Sequence, residues 1–311
     1  MNTFTSMRAA QASRLYSLPS QIAAPLPPRE VALEGLRQRN AFLDGFFYDV
    51  GNLSEEEADQ LAPNYAAEGA ILAVGPSLSP SIDTWPDYQE FLAAGAGDFK
   101  ALAVAGVGSS ALGAAAFARN VADAIDAPVL AVVSGYGISD LVTEALGGFF
   151  LFGQLNSMRN MFEFFDDITR PGSSRPTSHS SLAEGIVRSS LDVRTLVSIL
   201  SGPMEFDYMV GHSKGNLVIS EALYELEEVD RDRLVEHGKT AHVITVSAKI
   251  RMPDEMMEVT DVLGQIDGFG LINSRLSIQT DERVRLAWHH TNTDIPFHLP
   301  VTETLAGIVS A

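Results

Sequence analysis

A serine between two glycines is the part of the sequence best suited to chemistry. Residues Phe206–Asn216 contain the pattern G-x-S-x-G, formed by Gly211, Ser213 and Gly215. Apolar residues precede the pattern and an amphipathic helical spacing follows it, which predicts a sharp turn from a strand into a helix. Such a turn strains the serine backbone, and its close contacts leave room only for glycine at the flanking positions. The helix N-terminus then favours negative charge developing near the serine, so we expect Ser213 to be a nucleophile.

This segment and the elements around it resemble the α/β-hydrolase superfamily, and within it the lipases and esterases. The resemblance covers roughly residues 99–311 and does not extend clearly to residues 1–98. It implies an α/β fold with a mostly parallel central sheet, helices on both faces and a helical cap or lid insertion. It also implies a general base and an orienting carboxylate, in the chain order serine, then Asp or Glu, then histidine.

Five histidines follow Ser213, and we expect His298 to be the base. It precedes a short apolar C-terminal segment, which is similar to the family's end, where the histidine follows the last strand and a final helix packs on the sheet. His289 and His290, at the end of a strand expected at 284–288, are the alternatives. The competing interpretation of each is a structural histidine satisfied by hydrogen bonds.

Asp267 is the expected acid, because it begins an Asp-Gly turn after a predicted strand, where family members often carry this residue. Asp294 is the rival, in a string that resembles the acid-bearing loop of fungal-type lipases. Only 17 residues follow Asp294, however, whereas the histidine of those lipases lies well downstream. Asp254 is the third candidate. Each could also be an ordinary turn-forming aspartate.

The oxygen of a tetrahedral intermediate needs two N–H donors. The resemblance implies one donor from Lys214 and the other from the loop at 104–110, at the backbone of Val107. Family members often have His-Gly where this chain has Ala105 and Gly106, but a backbone donor does not require that histidine. The loop contains neither a full G-x-G-x-x-G pattern nor the lysine of a P-loop, so we do not expect nucleotide binding.

The elements that must position these residues alternate between strand and helix from residue 100 onward. Several strands are apolar on both faces, which is typical of the inside of a parallel sheet. The predicted strands are 100–107, 128–134, 206–210, 242–248, 259–266 and 284–288, and the predicted helices are 111–125, 182–200, 215–228 and a short C-terminal one. Upstream, Ser54 and the three glutamates after it predict a helix start.

Residues 138–182 interrupt this alternation, and 145–165 are rich in Phe and Met. The segment can be interpreted as a hydrophobic lid over an acyl site, with glycines as hinges, or as buried core. For the whole chain we expect two parts. A largely helical N-terminal extension at 1–98 packs on a catalytic domain at 99–311, and the catalytic domain contains this insertion.

Composition narrows the function classes. Hydrophobic residues make up 46% of the 311, which is typical of a globular protein, and the net charge of −19 disfavours nucleic acid and anionic membrane surfaces as partners. The absence of cysteine excludes disulfides, thiolate metal sites and a cysteine nucleophile. No residue cluster has metal-ligand spacing, and no run resembles a signal peptide or a membrane span. We therefore expect no metal or cofactor, no stable membrane anchor and a cytoplasmic location.

The expected reaction is hydrolysis of a small-molecule or lipid carboxylic ester through an acyl-enzyme, by Ser213, His298 and Asp267. An intracellular polyhydroxyalkanoate depolymerase or a thioesterase would use the same three residues. A hydrolase-fold binding protein without activity is the alternative from a different class.

Overall fold

The computed structural model describes residues 44–61, 68–95, 97–106, 109–134, 190–275 and 277–310. The predicted insertion at 138–182, its Phe-rich stretch at 145–165 and Val107 lie outside the described residues. Within these ranges, eight strands form one sheet in the order β2-β1-β4-β3-β5-β6-β7-β8. The strands are β1 (Ile71–Val74), β2 (Ile82–Trp85), β3 (Ala101–Val104), β4 (Val129–Val132), β5 (Tyr208–His212), β6 (His242–Val246), β7 (Glu258–Gly264) and β8 (Glu282–Val284).

The sheet is mostly parallel. β1 pairs antiparallel with both β2 and β4, whereas every pairing from β4 across to β8 is parallel. Each residue of β1, β3 and β4 is buried, as expected for strands covered on both faces. The sequence prediction of an α/β protein with a mostly parallel sheet is therefore confirmed at this level.

Helices cover both faces of this sheet. They are α1 (Glu55–Leu61), α2 (Tyr88–Ala93), α3 (Ala111–Ile125), α4 (Leu191–Leu200), α5 (Lys214–Val229), α6 (Arg231–Thr240), α7 (Gly268–Ile272) and α8 (Val301–Val309). Alternate residues of β3 enter different clusters: Ala101 and Ala103 join α1, α3 and α8, while Leu102 and Val104 join α2, α4, α5 and α6. This alternation follows from the two-residue period of a strand. None of the described helices has the length and apolarity needed to cross a membrane.

The part of the chain before residue 99 supplies two strands of the sheet as well as helices. β1 lies between β2 and β4, with Ile71 opposite Val132. The helix predicted at Ser54 is present as α1, where Ser54 and Glu57 exchange backbone and side-chain hydrogen bonds of 2.9 and 3.1 Å. The sheet and the candidate active site described below both include residues from this part of the chain.

The predicted strand at 284–288 begins and ends earlier than expected. β8 ends at Val284, and Leu286 has a φ of 57°, a left-handed conformation that cannot continue a strand. The chain therefore turns before Trp288. This turn decides which histidine reaches the sheet edge near Ser213.

Candidate active site

Ser213 occupies the turn between β5 and α5, as the sequence predicts. Its φ of 53° and ψ of −117° lie outside the regions that residues with a side chain normally adopt. Its N–H donates to the carbonyl of Val246 at the end of β6, 2.8 Å away, and so fixes the turn to the neighbouring strand. Helix α5 begins at the next residue, so the positive end of the helix dipole lies beside the serine.

Two glycines allow the chain to close around this serine. A Cβ on Gly215 would lie only 2.0 Å from the carbonyl oxygen of Val104, so the first turn of α5 could not approach the end of β3 with any other residue there. A Cβ on Gly106 would lie 3.2 Å from the Cβ of Ser213. The loop after β3 therefore passes directly beside the serine, and this packing explains why glycine is needed.

His289 connects Ser213 to Asp267. Its Nε2 is 3.1 Å from the Ser213 Oγ, and its Nδ1 is 3.0 Å from each carboxylate oxygen of Asp267. The side chains of His289 and Asp267 are 1% and 0% exposed. Asp267 follows β7 and begins α7, where the N–H of Gly270 donates to its Oδ1 at 2.6 Å. The carboxylate is thus held by helix α7 and by the histidine together.

The protons in this chain of contacts follow from the chemistry of each group. An ionised carboxylate can only accept, so Nδ1 of His289 carries the hydrogen and Nε2 is left with a lone pair facing the serine hydroxyl. Burial alone would raise the pKa of Asp267, but the charge and hydrogen bond of His289, with the N–H of Gly270, keep that pKa below its ordinary value. In the form of His289 that can accept a proton, the Ser213 hydroxyl donates to Nε2 while Nδ1 donates to the carboxylate of Asp267.

The structure does not bring His298, the expected base, to Ser213. His298 lies in the loop before α8, and its Nδ1 is 3.2 Å from the carbonyl oxygen of Ile295. His298 lies near Asp49: burial raises the pKa of that carboxyl, and the nearby His298 partly lowers it. The physical reason is the early turn at Leu286, which places the alternative, His289, at the serine. His290 points elsewhere, with its Nε2 3.2 Å from the carbonyl of Pro296.

The two rival acids are exposed and lie in other contacts. Asp254 pairs with Arg251 at 3.0 Å on the surface. The N–H of Asp294 donates to the side-chain oxygen of Asn292 at 2.9 Å, a local turn contact. Of the three candidates, Asp267 is the carboxylate at His289.

The expected oxyanion donors are described in part. Lys214 is the first residue of α5, directly after the serine. Val107 lies outside the described residues, whereas Gly106, the residue before it, lies against Ser213. The elements expected to supply donors therefore meet at the serine.

Two residues that sequence reasoning missed, Tyr48 and His212, are hydrogen-bonded to the backbone of the site. The Tyr48 hydroxyl is 3.0 Å from Nδ1 of His212 and 2.5 Å from the N–H of Gly106, and Nε2 of His212 is 2.9 Å from the carbonyl of His289. His212 occupies a variable position of the G-x-S-x-G pattern. Tyr48 is distant in sequence and carries no spacing signal that could have identified it.

The segment 44–49 also holds the chain that carries His289. The N–H of Thr291 donates to the carbonyl of Phe47 at 2.7 Å, and the side-chain N–H of Asn292 donates to that of Gly45 at 2.6 Å. The ring of Phe47 packs edge-on to His289, with centroids 6.0 Å apart. This part of the N-terminal region is therefore a structural component of the site.

Comparisons of the chain with protein-family models, with curated proteins and with solved structures found no match. Among the described residues, no group of three or more His, Asp and Glu side chains is arranged to hold a metal ion. The interpretation of the site thus depends on its own geometry.

Proposed function

We propose that this chain is a serine hydrolase of the α/β-hydrolase fold that cleaves carboxylic esters through an acyl-enzyme. The observation that carries the proposal is the hydrogen-bonded series Ser213, His289 and Asp267, with the serine in a strained turn at the end of a central parallel strand. Nucleophile, base and orienting acid have the contacts that acyl transfer requires.

The mechanism follows from the proton positions. Ser213 attacks the ester carbonyl carbon while Nε2 of His289 takes the hydroxyl proton, and Asp267 stabilises the imidazolium that forms. The tetrahedral intermediate then collapses: the bond to the alkoxy oxygen breaks, and His289 returns the proton to the departing alcohol. In the second half, His289 takes a proton from water, the water oxygen attacks the acyl carbon, and the acid leaves as Ser213 regains its proton.

Topology supports the same assignment. In α/β-hydrolases the nucleophile occupies a strand-to-helix turn, and the partners follow in the chain order serine, acid, histidine. Here Ser213 follows β5, Asp267 follows β7 and His289 comes shortly after β8. Backbone N–H groups at the start of α5, beginning with Lys214, are in a position suited to the oxyanion.

The strained serine weighs against a non-catalytic scaffold. A positive φ at a residue with a side chain costs on the order of 1–3 kcal/mol, which persists only where surrounding structure enforces it. The buried carboxylate of Asp267 is a second cost, because an ionised group must give up water. A nucleophile and its orienting carboxylate account for both costs.

A phosphonate probe tests the proposal directly. We expect a fluorophosphonate to modify wild-type protein at Ser213, shown by peptide mass spectrometry, and to leave Ser213→Ala unmodified. His289→Ala should lose on the order of 10⁶-fold in kcat on p-nitrophenyl butyrate, and the matched His298→Ala should retain most activity. A folded wild-type protein that resists the probe would contradict the proposal, and the opposite pattern for the two histidine variants would exchange their roles.

Substrate class is decided by a panel assayed with the same preparation. Short p-nitrophenyl esters, long-chain triglycerides, polyhydroxybutyrate granules and acyl thioesters all enter through the same attack on a carbonyl carbon. We expect the highest kcat/KM on a p-nitrophenyl ester or a triglyceride. A clear preference for the polymer or the thioester would replace the ester assignment with that alternative and leave the three residues in place.

A further inference from the structure

We infer that Tyr48 and His212 are positioning residues for the proposed reaction, joined in one hydrogen-bonded relay that fixes His289 relative to the loop at Gly106. The inference rests on the proposed function and adds two residues to it. Neither side chain contacts Ser213 in the hydrogen bonds described above, so both would act through the backbone of their neighbours.

The direction of each bond in the relay is determined. The backbone N–H of Gly106 can only donate, so the Tyr48 oxygen accepts from it, and the carbonyl of His289 can only accept, so Nε2 of His212 donates. A neutral imidazole with its hydrogen on Nε2 has a lone pair on Nδ1, which accepts the remaining hydrogen of Tyr48. Every donor therefore has an acceptor, with one arrangement of protons.

Burial keeps this arrangement of protons intact near neutral pH. His212 is 1% exposed, and its burial, together with the nearby His289, lowers its pKa to about 3. Asp267 and the hydrogen bond to His289 act in the opposite direction and do not overcome burial, and His290 adds to the lowering. His212 thus stays neutral near neutral pH. A protonated His212 would carry hydrogens on both nitrogens and could not accept from Tyr48.

The relay connects parts of the chain that must be aligned for the reaction. Tyr48 lies in the N-terminal segment, Gly106 in the loop beside the Cβ of Ser213, His212 in β5 and His289 after β8. Other bonds from the segment at 44–49 hold the chain just after His289, and the Tyr48 hydroxyl in addition contacts the loop at Gly106. Loss of this hydroxyl would free the loop and the histidine to shift independently.

Deletion of one hydroxyl tests the relay. Tyr48→Phe keeps the ring, which packs edge-on to His212 with centroids 5.4 Å apart, and removes the oxygen. Because a displacement of about 1 Å can cost about 100-fold in rate, we expect kcat on p-nitrophenyl butyrate to fall about 10- to 100-fold. The rate of fluorophosphonate labelling at Ser213 should fall by a similar factor, while KM changes little. All rates are expressed per active site titrated by the probe, so unfolded protein does not count.

Tyr224→Phe is the matched control, since Tyr224 is also buried and its hydroxyl donates to one backbone carbonyl, that of Met252, at 3.2 Å. Like Tyr48→Phe it should lower thermal stability, but it should leave kcat unchanged. A purely structural role for Tyr48 predicts the same behaviour for both variants. Equal kcat per titrated site in wild type and Tyr48→Phe would overturn the inference.

A pair of substitutions at His212 keeps the inference testable if Tyr48→Phe does not fold. His212→Gln retains an N–H that can donate to the carbonyl of His289, whereas His212→Leu has similar bulk and no donor. We expect kcat of the glutamine variant to exceed that of the leucine variant at least several-fold; equal values would overturn the inference. Failure of wild type to react with the probe would instead contradict the proposed function, so the two failures are distinguishable.

Discussion

At the scale of single residues, a turn of the backbone determines which histidine lies at Ser213. His289 and His298 both follow Ser213 and Asp267 in the chain, so residue type and order allow either. The left-handed conformation of Leu286 ends β8 early and delivers His289 to the serine at 3.1 Å. A sequence pattern cannot reveal this, because leucine rarely adopts a positive φ and surrounding structure must impose it. Sequence alone could nominate Asp267, which contacts His289 in the structure, because the Asp-Gly turn is a local signal.

The carboxylate gives a prediction at the same scale. Asp267→Asn preserves shape but replaces an acceptor with an amide whose N–H₂ can face Nδ1 of His289 and favour the wrong tautomer. We expect kcat to fall about 10³- to 10⁴-fold with little change in KM, measured on p-nitrophenyl butyrate. Asp294→Asn, the matched control in the rival position, should retain activity. Similar losses in both variants would show that Asp267 has no special role.

At the scale of elements, local patterns predicted the core of the fold. Helix α3 has the predicted bounds, and β5, the turn and α5 follow the G-x-S-x-G context. The strands β1 and β2 were missed, since each has only four residues and is stabilised by its neighbours: β1 pairs with β2 and β4, and β2 pairs with β1. Tyr48 was missed for the same reason: its partner His212 is 164 residues away. Contacts between distant segments leave no periodic trace in the sequence.

The junction of β3 and α5 gives the prediction at this scale. A Cβ at position 215 would lie 2.0 Å from the Val104 carbonyl oxygen, and backbone atoms cannot move aside cheaply. Gly215→Ala should therefore lower the free energy of unfolding by more than about 2 kcal/mol and reduce phosphonate labelling. Gly307 lies in α8 with nothing within 4 Å of an added Cβ. Gly307→Ala should raise stability by about 0.5–1 kcal/mol, because alanine favours helix. Urea titration measures both, and a tolerated Gly215→Ala would contradict the packing argument.

At the scale of the whole molecule, the free energy of unfolding depends on a few buried ionisable groups within a strongly acidic chain. Asp44 is buried where the N-terminal segment meets α3, and it accepts hydrogen bonds from the N–H groups of Ser110 and Gly113 at 3.0 and 3.3 Å. Burial raises its pKa to about 8, despite these hydrogen bonds, which act in the opposite direction. His212 has the opposite effect on pH dependence, because its pKa is lowered to about 3. The two groups affect different pH ranges.

The sign of each effect follows from proton binding. Between about pH 4 and 8 the folded chain holds a proton on Asp44 that the unfolded chain releases, so this contribution to stability is complete at low pH and is lost as pH rises through about 8. Below about pH 6.5 His212 becomes protonated in the unfolded chain but not in the folded chain. The contribution of His212 to stability therefore decreases as the pH falls, in the direction opposite to that of Asp44. Between about pH 6.5 and 8, therefore, Asp44 lowers the free energy of unfolding as the pH rises, and His212 does not counteract this change.

Urea unfolding measured from pH 6 to 9 tests this balance. Stability of the wild type should fall with rising pH between about pH 6.5 and 8, by up to about 1.4 kcal/mol per pH unit for one proton, and level off above about pH 8. Asp44→Asn cannot ionise and should remove most of that slope, while Asp254→Asn, an exposed control, should leave it unchanged. If the wild type and Asp44→Asn show the same slope, the proton is not held at Asp44. The mutual repulsion that results from the excess of 40 acidic over 21 basic residues would then be the source of the alkaline loss, and added salt would suppress it in both proteins.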